Sequence, residues 1–521
     1  MDNKKVLFGH EAKQLLLEGI NIVADAVKVT LGYGGRTVVI SETGFPARTT
    51  KDGVTVAKSI KLRREEHDAG AKLIKDTSSK VADEVGDGTT TVCVLMQEII
   101  TNGLEEIKNG VNPVLLKKGM EAAVKDIVAI IKENSIETDQ RLLKAVASVS
   151  ANNDEEIGGL ISDAYSKLGK YGTIAIEDSN GPDTRIEMVE GFHFHSGFFS
   201  HHFITNFAKN TCELEKPYVM IVEGKIGDVN QIFNLMQKVA TEKRGLVIIA
   251  EDFDHSVPTT LLTNKDIFKS CLIRYNFTGE TKQELMYDLC AVTGAKVAEM
   301  KGDKLENISI DYLGECEKFI IEKDESLIVK GAKSEKELEA RIADAKVKVE
   351  NSKNIFLKQR HEARLAKLSG AMAICYVGGA TEVEISEKKD RIDDSIRATR
   401  AAIEEGIVAG GGKTLSDCVK KLNSQRQLTF EVKHGDGYFL VVNALRKPLW
   451  QICHNNARED LFENAWKSAD GSGYNAKKDC ISNLIEDGIV DPAKVVRVCI
   501  ESAVSTSIQI LTSEALIVSD N

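Results

Sequence analysis

The stretch Val85-Gly86-Asp87-Gly88-Thr89-Thr90-Thr91 sets the strongest condition on what this chain can become. Two glycines bracket an acid, and three hydroxyl residues lead into the apolar run Val92 to Ile100. Glycine lets the backbone approach a ligand closely, and a helix start leaves unpaired N–H groups of positive dipole character facing outward. Thr89, Thr90 and Thr91 add hydroxyl donors, and Asp87 offers the hard oxygen that Mg²⁺ takes alongside phosphates. The stretch reads as a metal-assisted phosphate cradle. A capped helix after a polar turn uses the same residue types.

Length and charge bound the partners. At 521 residues the chain exceeds one hydrophobic core, and about 150 residues per domain predicts roughly three. The content is 42% hydrophobic and 28% charged, and no apolar run approaches the roughly 20 residues of a membrane span. A net charge of −11 speaks against a nucleic-acid partner, which needs clustered basic residues in excess. One nucleotide held through backbone N–H groups and Mg²⁺ remains compatible with it. The ten cysteines show no C-x-x-C pair and read as reduced, buried thiols. Met1 to Lys5 lead straight into an amphipathic helix with no signal segment, so the expectation is a cytoplasmic protein.

Leu16, Ile20, Val23, Val27 and Leu31 predict a helix with one buried stripe, ended by Gly32. A β-rich run follows at Thr37 to Ile40, then a polar break at Lys51-Asp52-Gly53 and a long polar helix from about Glu65 to Glu84. Asn112-Pro113 opens a helix to about Glu133. Ser148 to Asp154 is a polar break, after which Gly172 to Glu177, Arg185 to Val189, Pro217 to Val222, Leu246 to Ala250 and Phe319 to Ile321 read as strands among helices. That alternation predicts an α/β domain in mid-chain. Ser334-Glu335-Lys336-Glu337 is a capping box opening a charged helical hairpin that ends near Gly370, and Ala371 to Val377 is one more strand. Ile392, Ile396, Thr399 and Ile403 mark another helix, with Gly410-Gly411-Gly412 expected to stop it and a mainly helical remainder to about Ser513.

Outside the cradle, Lys51 and Asp52 lie in a glycine turn where a lysine can neutralise a phosphate and an acid can hold metal or water. A solvated turn is the plainer alternative. Asp394 lies roughly 200° around its helix from Ile392, so it projects from another face, as a solvent-facing acid would. Gly411, Asn475-Ala476 and Asp491 suit ligand loops and plain turns equally. Phe192 to Phe203 concentrates five phenylalanines and four of the ten histidines. His193 and His195 would share one face of a strand, but no carboxylate or cysteine in the stretch completes a metal set. An aromatic core segment or an apolar partner surface is the preferred reading.

Taken together, Val27 to Gly32, Thr50-Lys51-Asp52-Gly53-Val54, Gly86 to Thr91, Ala398-Thr399-Arg400-Ala401-Ala402, Glu404-Glu405-Gly406, Val408 to Gly412 and Gly473-Tyr474-Asn475-Ala476 resemble the group I chaperonins, the GroEL class. The motifs keep that family's order from end to end. The resemblance implies a multi-domain fold: a mainly helical equatorial domain from 1–133 and 406–521, a small α/β intermediate domain from 134–189 and 373–405, and an α/β apical domain at 190–372. It implies ATP with Mg²⁺ and K⁺, a homo-oligomeric ring of seven subunits, unfolded client proteins and a lid co-chaperonin. Thr30, Leu31, Gly32, Tyr33, Lys51, Asp87, Gly88, Thr89, Thr90, Thr91, Gly411, Asn475, Ala476 and Asp491 look like the ATP site, with Asp87 on Mg²⁺ and Asp52 and Asp394 as the catalytic acids on the attacking water. Phe198, Phe203, Phe233, Met236 and Leu262 stand where the family presents apolar residues to clients.

The chain departs from the family at several points. His202, Pro258 and Thr263 replace usual apolar residues, Tyr33-Gly34 replaces Pro-Lys and is expected to loosen the first nucleotide loop, and Arg274 to Thr281 lacks the usual Pro-Gly-Phe-Gly-Asp-Arg-Arg. Such divergence fits an atypical bacterial or a virus-encoded homologue. A ring-forming scaffold without a productive ATPase cycle, and a small-molecule kinase, are the competing readings. Retention of Asp52, Asp87 and Asp394 opposes the first, and no compact acceptor-pocket motif supports the second.

Overall fold

The computed structural model describes residues 4–41, 47–169, 172–179, 181–207, 209–265, 267, 269–275, 277, 279–299, 305, 308–332, 334–352, 355–368, 370–426 and 435–519. The chain forms two compact units, Met1–Ser166 with Ala380–Asn521, and Lys167–Gly379.

The first unit is helical and built from both ends of the chain. Helix Gly9–Lys28 buries Leu16, Ile20, Val23 and Val27 on one stripe, as its periodicity dictates. It packs with helices Glu65–Val85 and Thr89–Lys108, and helix Ala493–Thr512 from the far end of the sequence packs against Thr89–Lys108 and Pro113–Asn134. One apolar core unites them, running from Leu16 to Leu511. Helix Ala493–Thr512 is long and apolar enough to cross a membrane by length and composition, which corrects the expectation that no such run exists. Val496, Cys499, Ile500, Ala503 and Val504 of that helix are buried, and a helix enclosed by other helices is apolar around much of its circumference.

The ends also meet as strands. Lys4–Phe8 precedes the first helix and pairs antiparallel with Ala515–Ser519. This corrects the reading of helix from the N-terminus onward. Helix Glu382–Glu405 stops at Gly406, whose φ of +79° is left-handed, and not at the glycine triplet. Strand Ile407–Ala409 intervenes and pairs with Val490–Pro492. After the triplet come helices Lys413–Arg426, Gly435–Ala444 and Lys447–Asn455, then a hairpin of Ser472–Asn475 and Cys480–Asn483 inside the stretch expected to be mainly helical.

The second unit is α/β. Its sheet runs in the order Ser270–Arg274, Leu246–Ala250, Tyr218–Glu223, Gly314–Ile321, Ser326–Gly331, Arg185–Phe194, Ala371–Val377 and Thr173–Asp178. Val297–Glu299 adds to Tyr218–Glu223, and Cys212–Glu215 to Gly314–Ile321. Tyr218–Glu223 and Leu246–Ala250 are parallel neighbours and read as unbroken apolar runs because both sheet faces are covered. Helices Glu335–Asn351 and Ile355–Leu368 form the expected hairpin. The capping box does not form, since the Ser334 side chain makes no cap hydrogen bond. What anchors this polar pair is charge: Arg341 and Arg364 both bond the buried Asp288, each at 2.7 Å.

Candidate functional site

Helix Thr89–Lys108 begins without a side-chain cap, whereas Asp52, Asn112 and Asp139 each cap their own helices through a carboxylate or amide oxygen. The capped-helix alternative therefore fails at the one helix where it mattered, and the first N–H groups there are left for another acceptor. Gly86 and Gly88 make the approach possible. Their φ values are +71° and +85°, and a Cβ would stand 2.4 Å from the Cβ of Arg397 at Gly86 and 2.3 Å from the Cys499 sulfur at Gly88. Gly86 thus brings helix Glu382–Glu405, and with it Asp394, flush against the cradle.

A cavity of about 1180 Å³ opens here, lined by every residue expected at the nucleotide site. Thr30, Leu31, Gly32, Tyr33, Lys51, Asp52, Asp87, Gly88, Thr89, Thr90, Thr91, Asp394, Gly411, Asn475, Ala476 and Asp491 all line it. The volume lies somewhat above the roughly 300–1,000 Å³ usual for small-molecule sites. Thr30 and Thr90 approach hydroxyl to hydroxyl at 3.4 Å. Asp52 receives Val54 N–H at 3.2 Å and Thr55 N–H at 2.8 Å, which locks its carboxylate in place. Asp394 rides on a helix fixed by Ser395, whose hydroxyl donates to the Ala147 carbonyl at 2.7 Å. Asn475 donates its side-chain amide to Asp487 at 2.7 Å.

Four acids facing one space repel one another. Burial, then the carboxylates of Asp52, Asp393, Asp87 and Asp390, push Asp394 up to about 8. Burial, then Asp87, push Asp491 up to about 7. Asp87 is raised as well, chiefly by burial, against the Gly88 N–H and the Ser150 hydroxyl that favour its ionised form. A cation placed among these oxygens would relieve all of this strain, so the donor set fits a hard divalent ion.

Residues 23–521 match the TCP-1/cpn60 chaperonin family. The chain belongs to that family. Its fold matches the chaperonin gp146 from the bacteriophage EL 2 (Pseudomonas aeruginosa), crystallised in the presence of ATP-BeFx. Two crystal forms of gp146 match, at TM-scores of 0.77 and 0.68, each with 20% identity and 99% of either chain covered. This chaperonin is accordingly a divergent member with a GroEL-like architecture.

Sequence reasoning missed several residues at the chaperonin cavity. Ser150, whose hydroxyl reaches Asp87 at 3.4 Å, and Asn152 and Asn153, both at positive φ, come from the stretch taken for a plain polar break. Asn after Asn was the available signal, since asparagine tolerates that conformation. Asp487 carried no signal at all. The first loop is also firmer than expected. Asn455 donates to the carbonyls of Lys28 and Leu31, each at 2.9 Å, and Arg36 N–H closes onto Val29 at 2.8 Å. Tyr33-Gly34 sits inside these bonds.

The apolar set expected to meet clients divides. Phe233 is 44% exposed and Leu262 is half-buried, but Phe198, Phe203 and Met236 are core residues at 7%, 4% and 5% exposure. On helix Asn230–Thr241 the 3.6-residue period turns Ile232, Leu235, Met236 and Val239 inward and leaves Phe233 outside. Phe198 is drawn in by a bridge to Ile273 and by the neighbouring Phe199 N–H, which bonds the Leu272 carbonyl at 2.7 Å. A surface made of all five is therefore not present: of the set, Phe233 is exposed and Leu262 half-buried, and the other three are core.

Proposed function

We propose that this chaperonin binds and hydrolyses ATP with Mg²⁺ and K⁺, and uses the cycle to fold non-native proteins within a cytoplasmic ring of seven copies closed by a lid co-chaperonin. The observation that carries the reading is the meeting of Asp52, Asp87 and Asp394 with an uncapped helix start in one cavity. Presence of the ATP analogue with the phage chaperonin supports it. In this reading 1–133 and 406–521 form the equatorial domain, 134–189 and 373–405 the intermediate domain, and 190–372 the apical domain.

The N–H groups and hydroxyls at Thr89 to Thr91 bind the phosphates, Lys51 neutralises their outer charge, and Asn475 and Ala476 border the rest of the nucleotide. Asp87 would hold Mg²⁺, whose charge, when bound, stabilises the phosphoryl oxygens. Asp52 already accepts two backbone N–H groups and cannot turn, so it orients the attacking water. Asp394 takes the water's proton on a carboxylate oxygen. Asp394 sits on the segment by which the chain re-enters the first unit, so closure of that helix is the step that completes the site. ATP favours closure only by the contacts it gains there.

Asp394→Asn should retain nucleotide binding, read with a fluorescent analogue, and lose phosphate release by roughly 10²- to 10⁴-fold. Unchanged turnover would remove Asp394 from the chemistry. Refolding of a denatured enzyme, present in the wild type and lost in this variant, would separate a working chaperonin from a ring that only binds.

A further inference from the structure

We propose that His193, His195 and Glu325 form a site for a borderline divalent transition ion, of the Zn²⁺ type, at one end of the sheet in the second unit. The sequence supplies only half of this set. His193 and His195 alternate with Phe192 and Phe194, and the pleat that turns the two phenylalanines into the core turns both imidazoles to the other face. The missing carboxylate comes from a chain segment 130 residues away. Strand Ser326–Gly331 pairs antiparallel with Arg185–Phe194 in the register Ser326 to Phe194 and Leu327 to His193. Carried one step further, that register sets Glu325 opposite His195.

The geometry is near that of a metal site. Glu325 Oε2 lies 2.7 Å from His193 Nε2, and Oε1 lies 3.4 Å from His195 Nδ1. The donor atoms all fall within 4.8 Å of one another. Bonds of about 2.0 to 2.1 Å to one ion need donors a little over 3 Å apart, which small side-chain rotations supply. The backbone beneath is braced. Glu322 N–H closes the turn onto the Glu325 carbonyl at 2.8 Å, and the Ser326 hydroxyl donates to the Ser196 carbonyl at 2.5 Å.

The donor types choose the ion. Two imidazoles with one carboxylate suit Zn²⁺ and its neighbours, whereas Mg²⁺ and Ca²⁺ take all-oxygen sets. The His193 side chain is 10% exposed and the His195 side chain 61%, so one ligand is locked and the other faces solvent, with room for water as a fourth ligand. The plainer alternative is a metal-free cluster in which Glu325 accepts from both imidazoles, and it predicts no uptake of an ion.

That difference sets the experiment. Full-length protein without a histidine tag, stripped with a chelator, would be titrated with ZnCl₂ by calorimetry and with CoCl₂ by visible absorption. The expected result is one ion per chain, a raised unfolding temperature, and no displacement by millimolar Mg²⁺. His195→Ala and Glu325→Gln should each weaken binding by more than the roughly 10- to 100-fold that follows loss of a mere supporting group. His195 is exposed, so His195→Ala should leave the unfolding temperature of the metal-free protein unchanged, which separates lost binding from lost folding. Absence of binding at micromolar Zn²⁺ would overturn the proposal. So would wild-type affinity in both variants, which would move the ion to another group such as the exposed Cys480.

Discussion

The two units use their side chains in opposite ways. In the first, the functional candidates are residues a helical core has no use for: glycines at positive φ, acids facing acids, hydroxyls at an uncapped helix start. In the second, the apolar residues expected to meet clients are of the types that fill the core, and the fold takes Phe198, Phe203 and Met236 for itself. A site for a small charged ligand announces itself by breaking local rules. A site for greasy, varied ligands obeys them and blends in.

The sharpest way to test this contrast is within the second unit. Phe203→Ala should destabilise that unit by about 3–5 kcal/mol in denaturant unfolding, as a core phenylalanine does. A loss confined to client capture, with stability intact, would return Phe203 to the surface role. In the first unit the equivalent probe is pH. With nucleotide and Mg²⁺ absent, Asp394 and Asp491 keep protons in the folded state that the unfolded chain releases near pH 4. Their contribution is therefore at its most favourable below about pH 4. It declines as pH rises to about 7 for Asp491 and about 8 for Asp394, by at most about 1.4 kcal/mol per pH unit for each group. Asp394→Asn should flatten the upper part of that decline, and a profile identical to wild type would count against the crowding of acids.

Gly86→Ala tests the packing that joins the cradle to helix Glu382–Glu405. The strained φ and the clash with Arg397 and the Asp394 carbonyl should cost about 1–3 kcal/mol and slow turnover by displacing the helix. Turnover at the wild-type rate would show that Asp394 is placed by something else. The smallest effects belong to surface positions. Phe233→Ala and Ser334→Ala should each change stability by less than about 0.5 kcal/mol, the first because the ring is exposed and the second because no cap bond is lost. Phe233→Ala should still weaken binding of an unfolded client measured by light scattering. A loss of about 1 kcal/mol at Ser334 would restore the capping box.

Periodicity and turn chemistry carried much of the fold. The stripe of helix Gly9–Lys28, the N-cap at Asn112 and the apolar strand Leu246–Ala250 were all legible, because each follows from residues close together in sequence. The helix stop at Gly406, strand Lys4–Phe8 and the hairpin at Ser472–Asn483 were not. Lys4–Phe8 becomes a strand only by pairing with Ala515–Ser519 at the far end of the chain, which no window of neighbours contains.

By itself the sequence determined the order and spacing of the glycine, acid and hydroxyl motifs; each alone also suits a plain turn, and it was the set that carried the family resemblance. Only the tertiary structure decided that Asp394 meets Asp52 and Asp87, that three of the expected grip residues are core, and that Glu325 joins His193 and His195. Chemistry is a property of a residue, but proximity and burial belong to the packed chain, and they turn an ordinary acid into one that holds its proton to about pH 8.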